Sequence, residues 1–209
     1  FGGQSSEHEV SLVSSSFVMK NVDPERYNLV PVGITKDGRW FLYEGPIERI
    51  KDNTWLSTEF CRRAFIAPDA GIHGLVVLDE GGSQVVEQIR LDCVIPVLHG
   101  RFGEDGTIQG LFEMARIPYV GCGVTASANA MDKAFSRTIF DAVGIPQASW
   151  TWSLRRKYLK NPEGELDRIE QQFTYPVFVK PANAGSSVGV SKAKSRDALA
   201  KALDLAFEH

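Results

Sequence analysis

The segment Phe178-Val-Lys-Pro-Ala-Asn-Ala-Gly-Ser-Ser-Val-Gly-Val190 constrains the chain most, because a lysine ends an apolar strand immediately before a glycine- and serine-rich turn. Val177, Phe178 and Val179 read as a buried strand, Ala182 to Gly189 as a flexible reversal, and Val190 to Lys194 as the returning strand. Gly185 and Gly189 allow backbone N–H groups to converge on an anion, Ser186 and Ser187 add hydroxyl donors, and Lys180 brings a fixed positive charge. Such a loop can fold over a phosphate. It can equally be a tight hairpin with a solvated lysine, and the segment alone leaves both readings open.

A length of 209 residues with 43% hydrophobic content accommodates one large domain or two compact ones. The net charge of -3 gives no basic footprint for nucleic acid, and Arg155-Arg156-Lys157 reads as a solvated face. Cys61, Cys93 and Cys122 are odd in number and lack any metal-ligand spacing, so neither a disulfide framework nor a zinc site is expected, and a reducing cytoplasm fits best. No apolar run reaches membrane-spanning length and no signal peptide opens the chain. Phe1-Gly-Gly has the character of a strand running into a turn, and the final helical pattern ends at His209 without a following strand. Both ends therefore read as interior to a longer protein.

The pattern along the chain is α/β. Ser6 and Glu9 are spaced as a capping box for a first helix whose buried face is expected to be Val10, Val13, Phe17 and Val18. A strand over 28–34, a turn at Lys36-Asp37-Gly38 and Trp40 to Tyr43 form a hairpin; Val76 to Leu78 and Val85 to Ile89 form another around Glu80-Gly-Gly82. Leu91 to Leu98 is a near-continuous apolar run, expected as a buried parallel strand, followed by His99-Gly100, a loop, a helix at about 109–116 and a short strand at Pro118 to Val120. Glycines at 121 and 123 mark a boundary before one helix from Ala126 to Val143 with an apolar face of Met131, Phe135, Ile139 and Val143. A polar helix lies in 155–172, and the last helix carries apolar residues at 199, 202, 203 and 206.

Several residues are candidates for chemistry. Glu7 stands at a helix start after two glycines, where a carboxylate either complements the dipole or meets a ligand's ammonium. His99 ends the apolar run at the strand's carboxyl edge, where α/β sheets gather ligands, although a structural histidine is also compatible. Glu104 and Asp105 read as loop scaffolding. Lys133 is an exposed helical lysine unless its helix faces the loop at 182–189.

Phe-Gly-Gly-Gln-Ser-Ser-Glu-His-Glu-Val-Ser, Leu-His-Gly-Arg-Phe-Gly-Glu-Asp-Gly-Thr-Ile-Gln-Gly, Pro-Tyr-Val-Gly, Met-Asp-Lys and Val-Lys-Pro-Ala-Asn-Ala-Gly-Ser-Ser-Val-Gly-Val occur here in that order. Together they resemble the D-alanine–D-alanine ligases over nearly the whole chain. The resemblance implies a three-layer, Rossmann-like preATP-grasp domain at 1–121, followed by an incomplete ATP-grasp region at 122–209. It implies an enzyme of peptidoglycan synthesis that uses ATP and magnesium, or manganese, to convert one D-alanine into an acyl phosphate, which a second D-alanine attacks.

By the same resemblance, Glu7 holds the first substrate's ammonium, His99 lies beside its carboxylate and Ser186 hydrogen-bonds with that glutamate. Lys133, Lys180 and Ser187 serve the ATP phosphates. A cytoplasmic homodimer with no nucleic-acid or membrane partner is implied. No metal ligand is assigned, because the family's acidic cluster has no counterpart here, and the 209 residues alone are expected to be inactive. Asn183-Ala184 before Gly-Ser-Ser-Val favours D-alanine over D-lactate as second substrate. A non-catalytic nucleotide- or amino-acid-binding protein on the same scaffold is the reading from another class.

Overall fold

The computed structural model describes residues 1–209, which divide into two compact units, 1–128 and 129–209. The first unit runs α1 (His8–Lys20), β1 (Val32–Ile34), β2 (Trp40–Tyr43), α2 (Ile47–Lys51), β3 (Cys61–Ile66), β4 (Gly74–Leu78), β5 (Val85–Arg90) and α3 (Thr107–Ala115). The five strands form an antiparallel sheet in sequence order. Alternation along β2 sends Phe41 and Tyr43 to one face, against Leu12 of α1, Ile50 of α2 and Trp55, while Leu42 joins Ala64, Ile66, Leu75, Val77 and α3's Ile108 and Phe112 on the other. Three layers result, and both faces of β2 are covered.

The expected hairpins at 34–40 and 78–85 are present. Gly2 forms a parallel bridge with Ile34, so the opening residues do extend the sheet before turning into α1. The expected strand at 91–98 is different: Val94 alone makes a parallel bridge, with Tyr119, and Ile95 is exposed. Pro96 removes a ladder donor from this run, so its apolar content does not become a continuous buried strand.

The face of α1 is a larger correction. Val10, Val13, Phe17 and Val18 are exposed, Phe17 to 61%, while His8, Ser11, Leu12, Ser15 and Ser16 are buried. The serines can be buried because their hydroxyls are satisfied: Ser15 and Ser16 donate to the Leu12 carbonyl, and Ser11 donates to Val97 O and accepts from Gly2 N–H. The capping box is not formed. Glu7 occupies the cap position, Ser6 Oγ donates to Glu7 Oε2 at 2.8 Å, and Glu9 pairs with Lys36 at 2.5 Å on the surface.

The division between the units falls within α4 (Val124–Met131), and α5 (Lys133–Ala142) opens the second unit's regular structure. The single helix expected at 126–143 is thus two helices. Asp132 breaks it by adopting an extended backbone and accepting the N–H groups of Ala134 and Phe135 as a new N-cap. No residue of α5 is buried, so the face with Phe135, Ile139 and Val143 is open in this structure.

Beyond it come α6 (Arg155–Lys160), α7 (Pro162–Gln172), β6 (Val177–Val179), β7 (Ser191–Ala193) and α8 (Arg196–Ala206). The core joins Tyr158, Leu166, Ile169 and Ala193 to Leu199, Ala202 and Leu203 of α8, whose four expected apolar positions are all buried. Truncating Leu199 to Ala would cost about 2–5 kcal/mol. Arg196 pins α8 to α7 through Glu163, Asp167 and Glu170. β6 and β7 pair antiparallel, but Phe178 points outward, 62% exposed, because a two-stranded ribbon backed on one side by α8 buries alternate residues only.

Candidate functional site

In the first unit, the turn after Gly2-Gly3 brings Glu7 beneath the segment that carries His99. Gly2 suits this crossing: its φ is +87°, and a Cβ there would lie 2.2 Å from Ile34 O. Gly100 is equally constrained, with φ +69° and a notional Cβ only 2.5 Å from Glu7 Oε2. The carboxylate therefore packs against bare backbone one residue from His99, and any side chain at position 100 would displace it.

Glu7 is 4% exposed. Ser6 Oγ satisfies Oε2, while Oε1 is buried without a hydrogen-bond partner. A desolvated carboxylate oxygen lacking a donor is costly, and a cationic or N–H donor ligand would relieve it. An ammonium matches that need.

His99 is held from several sides. Ser5 Oγ donates to its carbonyl at 2.6 Å while also accepting the Glu7 N–H, and Ser14 Oγ lies 3.2 Å from its Nε2. The following loop is fixed as expected by Glu104, which accepts the Gly100 N–H at 2.7 Å, and Asp105, which accepts from Phe102 and Thr107. Burial alone would raise the Asp105 pKa, but these donors outweigh it and hold the carboxyl below its ordinary value. A cavity of about 290 Å³ opens beside this loop, lined by Gly2, Gly3, Leu98, His99, Arg101 and Phe102 among others. Ser14 escaped the sequence reading, since its partner lies more than eighty residues away.

In the second unit, Lys133 begins α5 and reaches the reversal between β6 and β7. Its N–H donates to Ala182 O at 3.0 Å and its Nζ to Ala184 O at 2.5 Å. Burial lowers the Lys133 pKa, and the positive charge of Lys180 lowers it further. Two ammonium groups thus share one region, an arrangement that a polyanion would stabilise. Ser186, Ser187 and Gly189 adopt φ of 45°, 61° and 67°. The left-handed positions are therefore the two serines and Gly189, with Gly185 outside this set. Such turns can present successive N–H groups to an anion.

The structure brings Glu7 and His99 together in the first unit, and Lys133 and Lys180 together beside the loop of Ser186 and Ser187 in the second. These lysines and N–H groups fit the phosphates of a nucleotide. No group of three or more His, Cys, Asp or Glu side chains is placed to hold a metal ion.

Two family models match the sequence: the D-ala D-ala ligase N-terminus over residues 1–122 and the D-ala D-ala ligase C-terminus over 139–209. Among curated relatives, the D-alanine–D-alanine ligase of Caldicellulosiruptor bescii is 48% identical over 207 residues, covering 99% of this chain and 55% of the relative. That of Acetivibrio thermocellus is 47% identical, covering 97% and 56%. The chain thus spans little more than half the length of these relatives. Among solved structures, the VanG D-Ala:D-Ser ligase of Enterococcus faecalis superposes with a TM-score of 0.87 at 38% identity, covering 100% of this chain and 58% of its own. The D-alanine-D-alanine ligase of Coxiella burnetii gives 0.80 at 32%, covering 100% and 59%.

Proposed function

Because the chain belongs to the D-alanine–D-alanine ligase family, we propose that it carries the first-substrate site and part of the phosphate site of an ATP-dependent ligase that joins two D-alanines for peptidoglycan synthesis. The observation that carries this reading is the buried Glu7 carboxylate, whose Oε1 lacks a partner beside the His99 loop. The first D-alanine places its ammonium against Glu7 and its carboxylate toward His99. Ser186 is assigned to substrate binding by family resemblance alone.

Lys133, Lys180 and Ser187 hold the nucleotide phosphates. Bound ATP would supply the phosphoryl group that activates the first D-alanine's carboxylate, leaving ADP; attack by the second D-alanine's amine would then form the amide bond as the carboxyl–phosphate bond breaks, with release of inorganic phosphate and a proton. Bringing a carboxylate to a polyphosphate concentrates negative charge, which the two ammonium groups offset. By family resemblance, the loop at 182–189 covers the nucleotide phosphates. Magnesium or manganese belongs to the reaction by resemblance, with ligands outside these residues.

We place the domain boundary at 121/122, and the protein in the cytoplasm as a homodimer. Three free cysteines support a reducing compartment, and no helix is long and apolar enough to cross a membrane. Family resemblance alone supports the dimer.

The test is phosphate release by a protein of the relatives' full length. D-alanine-dependent release, with D-alanyl-D-alanine identified by mass, is the expected result; nucleotide binding without D-alanine-dependent turnover would establish the binding-only reading. The D-Ala:D-Ser neighbour makes D-serine a necessary competitor alongside D-lactate, and preference for either would reassign the second substrate.

A further inference from the structure

We propose that Ser14 is a positioning residue that holds the His99 imidazole in its Nε2–H tautomer. Ser14 Oγ stands 2.9 Å from the Val10 carbonyl, one helical turn back in α1, and 3.2 Å from His99 Nε2. A serine hydroxyl has one proton and two lone pairs. The Val10 carbonyl can only accept, so the proton goes there, and the oxygen faces His99 as an acceptor. Nε2 must then carry the N–H. This is the ring's only hydrogen bond in the structure, so no other partner selects the tautomer.

A neutral imidazole has a single N–H. With that proton on Nε2, Nδ1 holds a lone pair and becomes a donor only when the ring is protonated. His99 therefore approaches a carboxylate favourably through Nδ1 only as imidazolium, and through Nε2–H only by leaving Ser14. The backbone at the same place is already fixed by Ser5 on His99 O and by Ser11 on Val97 O. Ser14 completes the set by fixing the ring. The catalytic consequence rests on the reading of His99 as the neighbour of the first D-alanine; the tautomer does not.

The tautomer is read by long-range proton–nitrogen correlation on the 209-residue chain labelled at its four histidines, with His99 assigned from its loss in His99→Gln. At a pH where the ring is neutral, the expected pattern is a protonated Nε2 and an unprotonated Nδ1. Ser14→Thr and Ser14→Val share a β-branched shape, so their comparison isolates the hydroxyl. Thr should keep the single tautomer and Val should shift both nitrogens toward an average. A protonated Nδ1 in the native chain, or the same spectrum for Thr and Val, overturns the proposal.

In a protein of the relatives' full length, Ser14→Val should raise the KM for the first D-alanine roughly two- to tenfold relative to Ser14→Thr, leaving the KM for ATP unchanged. An unchanged D-alanine KM in Ser14→Val, with a raised one in His99→Gln, would overturn the positioning role. If His99→Gln is also silent, the assignment of His99 to the substrate site fails, and the spectra still decide the tautomer.

Discussion

The residues assigned to the two ends of the reaction are held in opposite ways. Glu7 and His99 are framed by Ser5, Ser6, Ser14, Glu104 and Asp105, with Glu7 Oε1 left open for a donor. Lys133 and Lys180 stand as like charges beside an exposed left-handed turn, tied mainly by one lysine to two carbonyls. A small zwitterion needs a preformed, desolvated pocket whose groups are already aimed. A polyphosphate brings enough charge to organise a looser set of cations and N–H groups around itself. The difference gives substitutions in the two regions different signatures.

The largest effect is expected from Glu7→Gln. Loss of a charge-assisted contact to an ammonium is worth about 1.5–3 kcal/mol, or roughly ten- to hundredfold in D-alanine affinity, with ATP binding spared. Since Glu7 Oε1 has no partner in the free protein, the thermal midpoint should hold or rise. Separate titrations of D-alanine and nucleotide, with a melting curve, check this. Equal loss for both ligands, or a marked fall in the midpoint, would mean that Glu7 serves the helix terminus instead.

The lysines come next. Lys180→Ala should weaken ATP about tenfold, less than a buried contact would, because this side chain is exposed to screening solvent. Lys133→Ala should produce a comparable loss and, in addition, faster amide exchange at 184–189 without any nucleotide, because its Nζ holds Ala184 O. Identical exchange in both variants would erase the distinction between a ligand lysine and one that also supports the loop.

How much of this was legible in sequence depended on how each surface is buried. In α8 the apolar residues at 199, 202, 203 and 206 meet a sheet, so periodicity gave the core face directly. In α1 the same reasoning chose Val10, Val13 and Phe17, yet the helix buries serines whose hydroxyls bond to backbone in the same turn or at Gly2 and Val97. Hydropathy cannot register a polar atom satisfied by a partner more than eighty residues away. Asp132 was visible as a residue type, but its capping role depended on a break that the apolar spacing of 131, 135, 139 and 143 concealed. Glu7 and His99 were prominent through their motifs, whereas Ser14 became evident only once the chain had folded.

A smaller effect tests the rigidity of the His99 loop. The Asp105 pKa is depressed in the folded chain, so its contribution to stability is complete above the unfolded value near 3.8 and is lost as pH falls through the lower folded value. The Phe102 and Thr107 amide resonances should therefore move with a common midpoint below 3.8. Asp105→Asn should abolish that titration. A midpoint above 3.8 would mean that burial, which raises the pKa, outweighs the two N–H donors.

The smallest expected signal is a fraction of a proton in the phosphate region. Burial first, and Lys180 second, place the Lys133 pKa below its ordinary 10.5. Without ligand, this charged form costs stability below the depressed pKa, and the cost is relieved as pH rises through it. A bound polyphosphate supplies the missing opposite charge and moves the pKa back up, so binding between the two values must take up protons. Calorimetric titration of ATP in two alkaline buffers of different ionisation enthalpy would read an uptake of less than one proton per site. Lys180→Ala should reduce that uptake without removing it, because burial, the larger cause, remains. Proton release, or an uptake unaffected by Lys180→Ala, would show that the two lysines do not act on one anion.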